Sequence, residues 1–200
     1  MFLPLGGVLV CFCACVSGTK AEEPATPYVW LTNKSRHILL PTESIERPMD
    51  DTLLVSASYQ GKDYFFYAWV KADSEEVNMT ITNEQGENMG ELSYRNGSVS
   101  FSPPAFFLPF KPEYIIADFQ FCFYRLGRLY SSLKYSGFLF NEFGTNRFED
   151  PYTWTVRSIL SWDQKTKIIT IEKKRRNVLE VVNHVRGYTY TLAWKAASYD

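Results

Sequence analysis

The sequence is poor in the side chains on which most catalytic and metal sites depend. It has only two histidines in 200 residues, His37 and His184, and neither has a cysteine or carboxylate neighbour at ligand spacing. Glycine-rich phosphate loops, serine nucleophile elbows and Cys-x-x-Cys pairs are also absent. Because an enzyme needs a nucleophile, an acid–base pair or a metal, we interpret the chain as a non-enzyme without a metal or other cofactor.

The chain also lacks a large net charge of either sign. Its 21 Lys and Arg residues against 22 Asp and Glu residues give a formal net charge of −1. This balance offers no electrostatic reason to expect binding to nucleic acid or to an anionic membrane surface. The basic run at 173–176 is interpreted as a solvated strand edge or turn, because only alternate residues of a strand share a face.

Cysteines are almost confined to the N-terminus, at positions 11, 13 and 15, so no disulfide framework is available. The one remaining cysteine, Cys122, falls on the apolar stripe of a predicted helix. A thiol in that position is expected to act as a small buried hydrophobic group rather than as a nucleophile or metal ligand.

The first fifteen residues have no charged side chain and form an apolar run too short to span a bilayer. The run resembles the core of a signal peptide without the basic residues that normally precede it, which a start codon placed too far downstream would explain. Ala14-Cys15 resembles a bacterial lipobox, since only this cysteine follows a small residue. We expect residues 1–14 to be a signal peptide and Cys15 to carry acyl chains such as palmitate. A plain cleaved signal peptide, cut after Ala14 or Gly18, is the alternative.

Strand patterns follow one another at close spacing beyond this N-terminal region. They predict ten antiparallel strands, at residues 52–60, 64–71, 77–83, 88–94, 98–101, 137–140, 153–162, 167–173, 178–184 and 188–195. Gly61-Lys62-Asp63 and Asn96-Gly97 are predicted to close two of the hairpins. The strand at 64–71 is apolar on both faces, so we expect it to be central and covered on each face.

One long segment, 112–135, has helical rather than alternating periodicity. Its apolar residues recur at three- and four-residue steps, and Pro112 suits a first helical position. Gly127 is predicted to end the first helical part, after which Leu129 and Leu133 continue the apolar stripe.

A loop rich in proline and phenylalanine, residues 103–110, precedes this helix. Its prolines exclude helix and central strand, whereas Phe106, Phe107 and Phe110 favour burial. The loop is interpreted either as a stiff flap that gates an apolar site or as a loop packed down as core over the sheet.

Together these patterns predict a mainly β fold of the α+β class. We expect a strongly curved antiparallel half-barrel of about ten strands, with the helical segment 112–135 as a lid on its concave face. Residues 39–200 are assigned to this single domain, and residues 15–38 to a lipidated tether with an irregular lead-in.

An aromatic concave face cannot remain in water, because burial of apolar surface is worth roughly 25 cal/mol per Å². Either the helix fills the concavity completely, or the helix and an acyl chain share it. On strand 64–71 the candidates are Phe65, Tyr67 and Trp69, and the opposite face of that strand is the alternative. The candidate ligand-binding residues are Phe65, Tyr67, Trp69, Phe106, Phe107, Phe110, Phe119, Trp154, Trp162, Tyr190 and Trp194.

Several short motifs in fixed order resemble a known family. They are Gly86 followed by Glu91-Leu92-Ser93-Tyr94, then Leu108-Pro109, then Ile115-Ile116-Ala117-Asp118-Phe119-Gln120-Phe121, then Phe123-Tyr124-Arg125, then Asn146-Arg147. This order, over roughly 39–194, resembles the bacterial lipoproteins called domain of unknown function 3261. Phe-Tyr-Arg stands where that family has a Tyr-Trp-Pro-like sequence.

The resemblance implies a fold similar to the lipoprotein-localisation factors and a location at the periplasmic side of the outer membrane of a diderm bacterium. Family members are encoded beside aryl-polyene or related fatty-acid-like biosynthesis genes. The implied role is an envelope lipoprotein that binds, carries or helps insert a lipid-like product or lipoprotein acyl chains. We expect the protein to be a monomer. The resemblance also implies that Asp118 and Arg147 are structural polar anchors rather than catalytic groups.

Two alternatives come from other functional classes. The first is a surface-exposed lipoprotein that binds a protein partner or acts as an adhesion module through its loops. The second, an enzyme of the same biosynthetic cluster, lacks candidate catalytic groups in the sequence.

Overall fold

The computed structural model describes residues 26–102, 111–144, 154–175 and 177–194. Two short strands, β1 (Tyr28–Trp30) and β2 (Arg36–Ile38), pair antiparallel with each other. A short 3-10 helix, Thr42–Ser44, follows them. The remaining strands are β3 (Met49–Tyr59), β4 (Lys62–Ala72), β5 (Glu76–Thr82), β6 (Asn88–Arg95), β7 (Ser98–Ser102), β8 (Phe138–Gly144), β9 (Trp154–Ser161), β10 (Lys167–Arg175), β11 (Val178–Asn183) and β12 (Tyr188–Trp194). The helices are α1 (Pro112–Phe123) and α2 (Leu126–Tyr135).

The strands β3 to β12 form one ten-stranded antiparallel sheet in the order β7-β6-β5-β4-β3-β12-β11-β10-β9-β8. The sheet is curved and not closed, with β7 and β8 at its two edges. The chain crosses from one edge to the other through the segment that contains both helices. This arrangement confirms the predicted α+β half-barrel of about ten strands interrupted once by helix.

Two of the hairpins close through two-residue turns that need positive φ angles. Gln60 and Gly61 have φ of 51° and 74°, and Asn96 and Gly97 have φ of 51° and 69°. Successive residues of this kind form the turn whose twist matches the right-handed twist of the flanking strands. The Asn96-Gly97 turn lies where the sequence predicts it, whereas the first turn lies one residue earlier than 61–63.

The helical segment is divided at Tyr124 and Arg125, which have extended backbone angles (ψ of 158° and 133°). The prediction that Gly127 ends the first part is wrong, because Gly127 lies inside α2. The break is held by the segment before β3: the Glu46 amide donates to the Phe123 carbonyl, and the Arg125 amide donates to the Ser44 carbonyl, both at 3.0 Å.

The first helix is an interior helix. Every residue from Ile116 to Phe123 is buried, as expected for a helix that is apolar nearly all round. By contrast, α2 buries only Leu129 and Leu133 and contacts β8. The core is therefore α1 enclosed by the inward face of the sheet.

The lead-in is more ordered than the sequence suggests. We expected irregular structure over 15–38, but residues 26–38 include β1 and β2, whose central residues Val29 and His37 are buried. The hairpin contacts both helices, β1 meeting α1 and β2 meeting α2. The sequence did not predict these strands because three residues are too few to show the alternating pattern of apolar and polar side chains.

Candidate ligand-binding site

Two polar side chains interrupt the buried surface of α1, and Gln120 is one of them. Its Nε2 donates to the Leu40 carbonyl at 2.7 Å, and its Oε1 accepts from the Leu40 amide at 2.8 Å. The Tyr94 hydroxyl donates to the same carbonyl at 2.9 Å. The Gln120 side chain thus satisfies both backbone polar groups of Leu40, as a neighbouring strand would, and connects the segment before β3 to α1.

The other polar side chain is Asp118, which is 6% exposed. The Tyr188 hydroxyl on β12 donates to its Oδ2 at 2.7 Å, and Nδ2 of the Asn183 side chain donates to the Tyr188 hydroxyl oxygen at 3.0 Å. Burial raises the pKa of the Asp118 carboxyl to about 7, although hydrogen bonds from Tyr188 and Tyr190 and the charge of Arg186 act in the opposite direction. The Asp118 carboxyl therefore titrates near neutral pH.

The carbonyl end of α1 is satisfied almost entirely by tertiary contacts. The Gln120 carbonyl accepts from the Tyr124 amide, but the next two carbonyls accept from a side chain on β9. Arg157 Nη1 donates to the carbonyls of Phe121 and Cys122 at 3.0 and 2.8 Å. Because the last carbonyls of a helix have no partner within the helix, Arg157 acts as their cap.

Arg157 is 1% exposed, and its charge is balanced within the fold. Its Nε donates to Glu142 at 2.8 Å, and its Nη2 lies 3.4 Å from Glu46. The guanidinium also lies over the Trp154 ring, 4.6 Å from its centroid. This cluster joins α1, β8, β9 and the segment before β3.

The sequence did not reveal Arg157, because a β-bulge puts Trp154 on the same face of β9 as Arg157. The pairing of β8 with β9 shifts between Phe143 and Gly144, which face Val156 and Trp154 respectively. Trp154, Arg157 and Ile159 are consequently the buried residues of β9. A strand without the bulge would place Trp154 and Arg157 on opposite faces.

An apolar cavity of about 90 Å³ lies between α1 and the strands β3, β4, β5 and β12. Inward side chains of the sheet form one wall, among them Val55, Ala68 and Ile81. On the helix side Phe119 and Asp118 take part. The lining is hydrocarbon except for the Asp118 carboxyl and the Tyr190 hydroxyl, whose pKa is raised by burial.

The structure brings together some of the predicted ligand-binding residues. Phe119 and Tyr190 line the cavity. Trp194 packs edge-on against Phe123 of α1, with ring centroids 6.1 Å apart. Trp154 is buried beneath Arg157, at the other side of the core.

Four other predicted residues lie away from the cavity. Phe65 and Trp69 are 54% and 48% exposed, Tyr67 lies on the same outer face of β4, and Trp162 is 58% exposed in the turn after β9. The opposite face of β4, which includes Phe66, Ala68 and Val70, forms the cavity wall. The expectation that β4 is covered on both faces is therefore wrong, although β4 is an interior strand paired with β3 and β5.

The remaining sequence predictions fall outside the described residues. They are the lipid-attachment residue Cys15, the loop phenylalanines Phe106, Phe107 and Phe110, and the polar anchor Arg147.

A larger polar cleft of about 790 Å³ lies beside the N-terminal end of α1. Residues of β1, the start of α1, the β6–β7 turn and the β11–β12 turn line it. Tyr188 is among the lining residues, and its hydroxyl bonds to Asp118, which lines the inner cavity. The Tyr188–Asp118 hydrogen bond therefore stands between the outer cleft and the cavity.

Residues 52–193 match the family described as Protein of unknown function (DUF3261). The chain belongs to this family. The matched range begins in β3 and ends in β12, so the DUF3261 region takes in the whole half-barrel and both helices. The family predicted from the motif order is confirmed.

No curated protein matches this DUF3261 chain. Among solved structures, it is similar to a DUF1329 family protein from Desulfovibrio piger ATCC 29098, at 10% sequence identity and a TM-score of 0.33. The similarity covers 78% of this chain and 87% of that one.

Two further findings concern the residues that the structure describes. None of the helices described is long and apolar enough to cross a membrane. The same residues contain no group of three or more His, Cys, Asp or Glu side chains arranged to hold a metal ion.

Proposed function

We propose that this DUF3261 protein is a non-catalytic envelope lipoprotein that binds the apolar chain of a lipid-like ligand between α1 and the sheet. The observation that supports the proposal is the cavity of about 90 Å³, whose walls are hydrocarbon from five secondary-structure elements. Apolar pockets with one or two placed polar groups are the usual form of sites for small hydrophobic ligands. Here the polar groups are Asp118 and Tyr190.

The volume of this cavity is smaller than that of a long acyl chain. A dry cavity of about 150 Å³ is enough to hold benzene, so about 90 Å³ receives only a few methylene groups. We propose that part of the wall moves when a longer chain binds.

The contacts that hold α1 in place indicate which part of the cavity wall moves. Its C-terminal half is held by the Gln120–Leu40 pair and by Arg157, whereas residues 112–115 are only partly buried. We propose that the chain enters as the N-terminal turn of α1 tilts away from the sheet, a movement that breaks the contacts of Tyr114 with Trp30 and Arg186. Burial of each methylene is worth about 0.8 kcal/mol, so a chain of ten methylenes gains roughly 8 kcal/mol to offset this displacement.

Attachment to the membrane is part of the same proposal and is supported by the sequence alone. Ala14-Cys15 ends the apolar N-terminal run and is followed by a polar stretch. Lipidation of Cys15 would tether the half-barrel to the outer membrane. The substitution Cys15→Ser is expected to move the protein into the soluble envelope fraction, and unchanged membrane retention would contradict the anchor.

The cavity is tested by filling it. Ala68 points into the cavity from β4, so Ala68→Leu adds three carbon atoms to an unfilled space. We expect this variant to gain up to about 2 kcal/mol in stability and to bind a fluorescent fatty-acid probe more weakly than the wild-type protein. If the space were already filled, the same change would cost about 1–3 kcal/mol through overpacking.

Ala193→Leu is the matched control for this substitution. Ala193 lies on β12 opposite Leu54 and is only partly buried, so a larger side chain there does not reach the cavity. The control is expected to leave stability and probe affinity nearly unchanged. Absence of saturable probe binding by the folded wild-type protein would refute the proposed function.

A second candidate function is supported by the outer face of β4. Phe65 and Trp69 expose about half of their side-chain surfaces there, and apolar surface of this kind can serve a protein-binding module. Substitution of both by Ser would leave fatty-acid binding unchanged, but it would abolish capture of a partner protein if this second function is correct.

A further inference from the structure

The outer cleft has the size and lining of a site for a polar group. Its volume of about 790 Å³ lies in the range of small-molecule pockets. Its charged lining residues are Lys111, Glu113 and Arg186, two cations against one carboxylate. Tyr28 and Trp30 supply aromatic surface at its rim, each about 40% exposed (39% and 41%).

Arg186 is held firmly in the wall of this cleft. Its Nη2 donates to the Trp30 carbonyl at 2.6 Å and to the Tyr114 hydroxyl, and its guanidinium lies 4.0 Å from the centroid of the Tyr114 ring. Its backbone amide donates to Asn183. The side chain is thus fixed from two elements, β1 and α1, as well as by its own turn.

The charge of Arg186 is not neutralised by an ion pair within the described ranges, where no carboxylate lies within 4.0 Å of it. The described hydrogen bonds use only Nη2, and a guanidinium has five N–H donors in one plane. The remaining donors have the geometry that suits a carboxylate or a phosphate group.

The cleft is also joined to the cavity in which we place the apolar chain. Tyr188 belongs to the cleft and Asp118 to the cavity, and their side chains are in direct contact at 2.7 Å. An amphiphile lying along α1 would therefore have its chain inside the half-barrel and its head group beside Arg186. Burial favours the neutral form of Asp118 by raising its pKa, which lessens its repulsion of a negative head group.

We infer that the outer cleft binds the anionic head group, a carboxylate or a phosphate, of the ligand whose chain occupies the cavity, with Arg186 as its charged partner. This inference rests on the proposed function, and it adds the chemical class of the ligand: a single-chain anionic amphiphile rather than a neutral lipid.

Three probes with the same oleoyl chain test the inference: oleate, oleoyl lysophosphatidic acid and the neutral monoolein. Arg186→Gln is expected to weaken binding of at least one anionic probe about tenfold or more, while monoolein affinity changes less than about twofold. A loss confined to oleate assigns a carboxylate head group, and a loss confined to lysophosphatidic acid assigns a phosphate.

Three comparisons separate this role from a structural one. Arg186→Lys retains the charge and should restore part of the lost affinity. Tyr114→Phe removes the hydroxyl contact of Arg186 but retains its charge, so the preference for anionic probes should remain. Arg128→Gln, on the exposed surface of α2, is the charge-matched control and should have no effect.

The possible failures are distinguishable. If all three probes bind the wild-type protein equally and Arg186→Gln changes none of them, the head-group inference is wrong but the proposed function stands. An equal loss for monoolein and for the anionic probes would show that Arg186 only supports the fold, which also overturns the inference. If no probe binds the wild-type protein, both proposals fail.

Discussion

Arg157 is expected to be the most important single side chain for the stability of the half-barrel. Arg157→Met retains much of the side-chain length but removes the cation and all of its hydrogen bonds. The change leaves Glu142, whose side chain is 16% exposed, without its partner at 2.8 Å. It also leaves the carbonyls of Phe121 and Cys122 without a donor at the buried end of α1.

The expected magnitude follows from this burial. Removal of one partner from a buried ion pair costs about 3–5 kcal/mol, because the other charge remains buried without compensation. Domains of this size are stable by only about 5–15 kcal/mol, so the variant would lose a large share of its stability. Arg157→Met combined with Glu142→Met removes both charges and should recover part of the loss.

Urea unfolding followed by tryptophan fluorescence measures these differences, since the midpoint and slope give the free energy of unfolding. The control is Arg95→Met, which breaks the exposed Arg95–Glu76 pair (3.9 Å; side chains 60% and 32% exposed) and should cost at most about 1 kcal/mol. A loss below about 1 kcal/mol in Arg157→Met would refute the view that this residue secures the end of α1.

Three further predictions concern the other buried polar groups. The pKa of the Asp118 carboxyl is raised from 3.8 to about 7, so its stabilising contribution is lost as the pH rises from 3.8 to 7. At pH 8, Asp118→Asn should therefore raise the free energy of unfolding by up to about 4 kcal/mol relative to the wild-type protein. A decrease measured by urea unfolding would refute this. Burial lowers the pKa of His37 from 6.5 to about 4, so its contribution is present above pH 6.5 and lost as the pH falls toward 4. His37→Phe should remove an acid-induced loss of about 3 kcal/mol, and an unchanged pH profile would contradict this. Gln120→Leu removes two hydrogen bonds from the backbone of Leu40. The substitution should lower the free energy of unfolding by about 2–3 kcal/mol and make the segment around Leu40 susceptible to protease. The control Gln85→Leu, at an exposed position, should have neither effect.

The sign expected for Asp118 shows what a structure adds to a residue recognised in the sequence. A carboxyl on an apolar helix face is expected to need a charged partner, and its removal is then expected to destabilise the protein. In the structure the Asp118 carboxyl has hydrogen bonds to the phenol hydroxyls of Tyr188 and Tyr190, and such hydroxyls can bond to a neutral acid or to an amide. The consequence is a group that favours folding when it is protonated.

The sequence by itself determined the ten strands of the half-barrel, the Asn96-Gly97 hairpin and the position of the helical segment. Each of these depends on a local period or a local turn preference, and both are present in a few consecutive residues. The family assignment likewise rests on motifs whose order along the chain is visible without a fold.

The tertiary structure decided which groups meet. Period-two alternation assigns Phe65 and Phe66 to opposite faces of β4 but cannot say which face is concave, because both are apolar. The break between α1 and α2 depends on hydrogen bonds to Ser44 and Glu46, about 80 residues earlier in the chain. The position of Trp154 on the same face of β9 as Arg157 depends on a bulge set by pairing with β8. These features arise from contacts between distant residues, and such contacts leave no periodic trace in the local sequence.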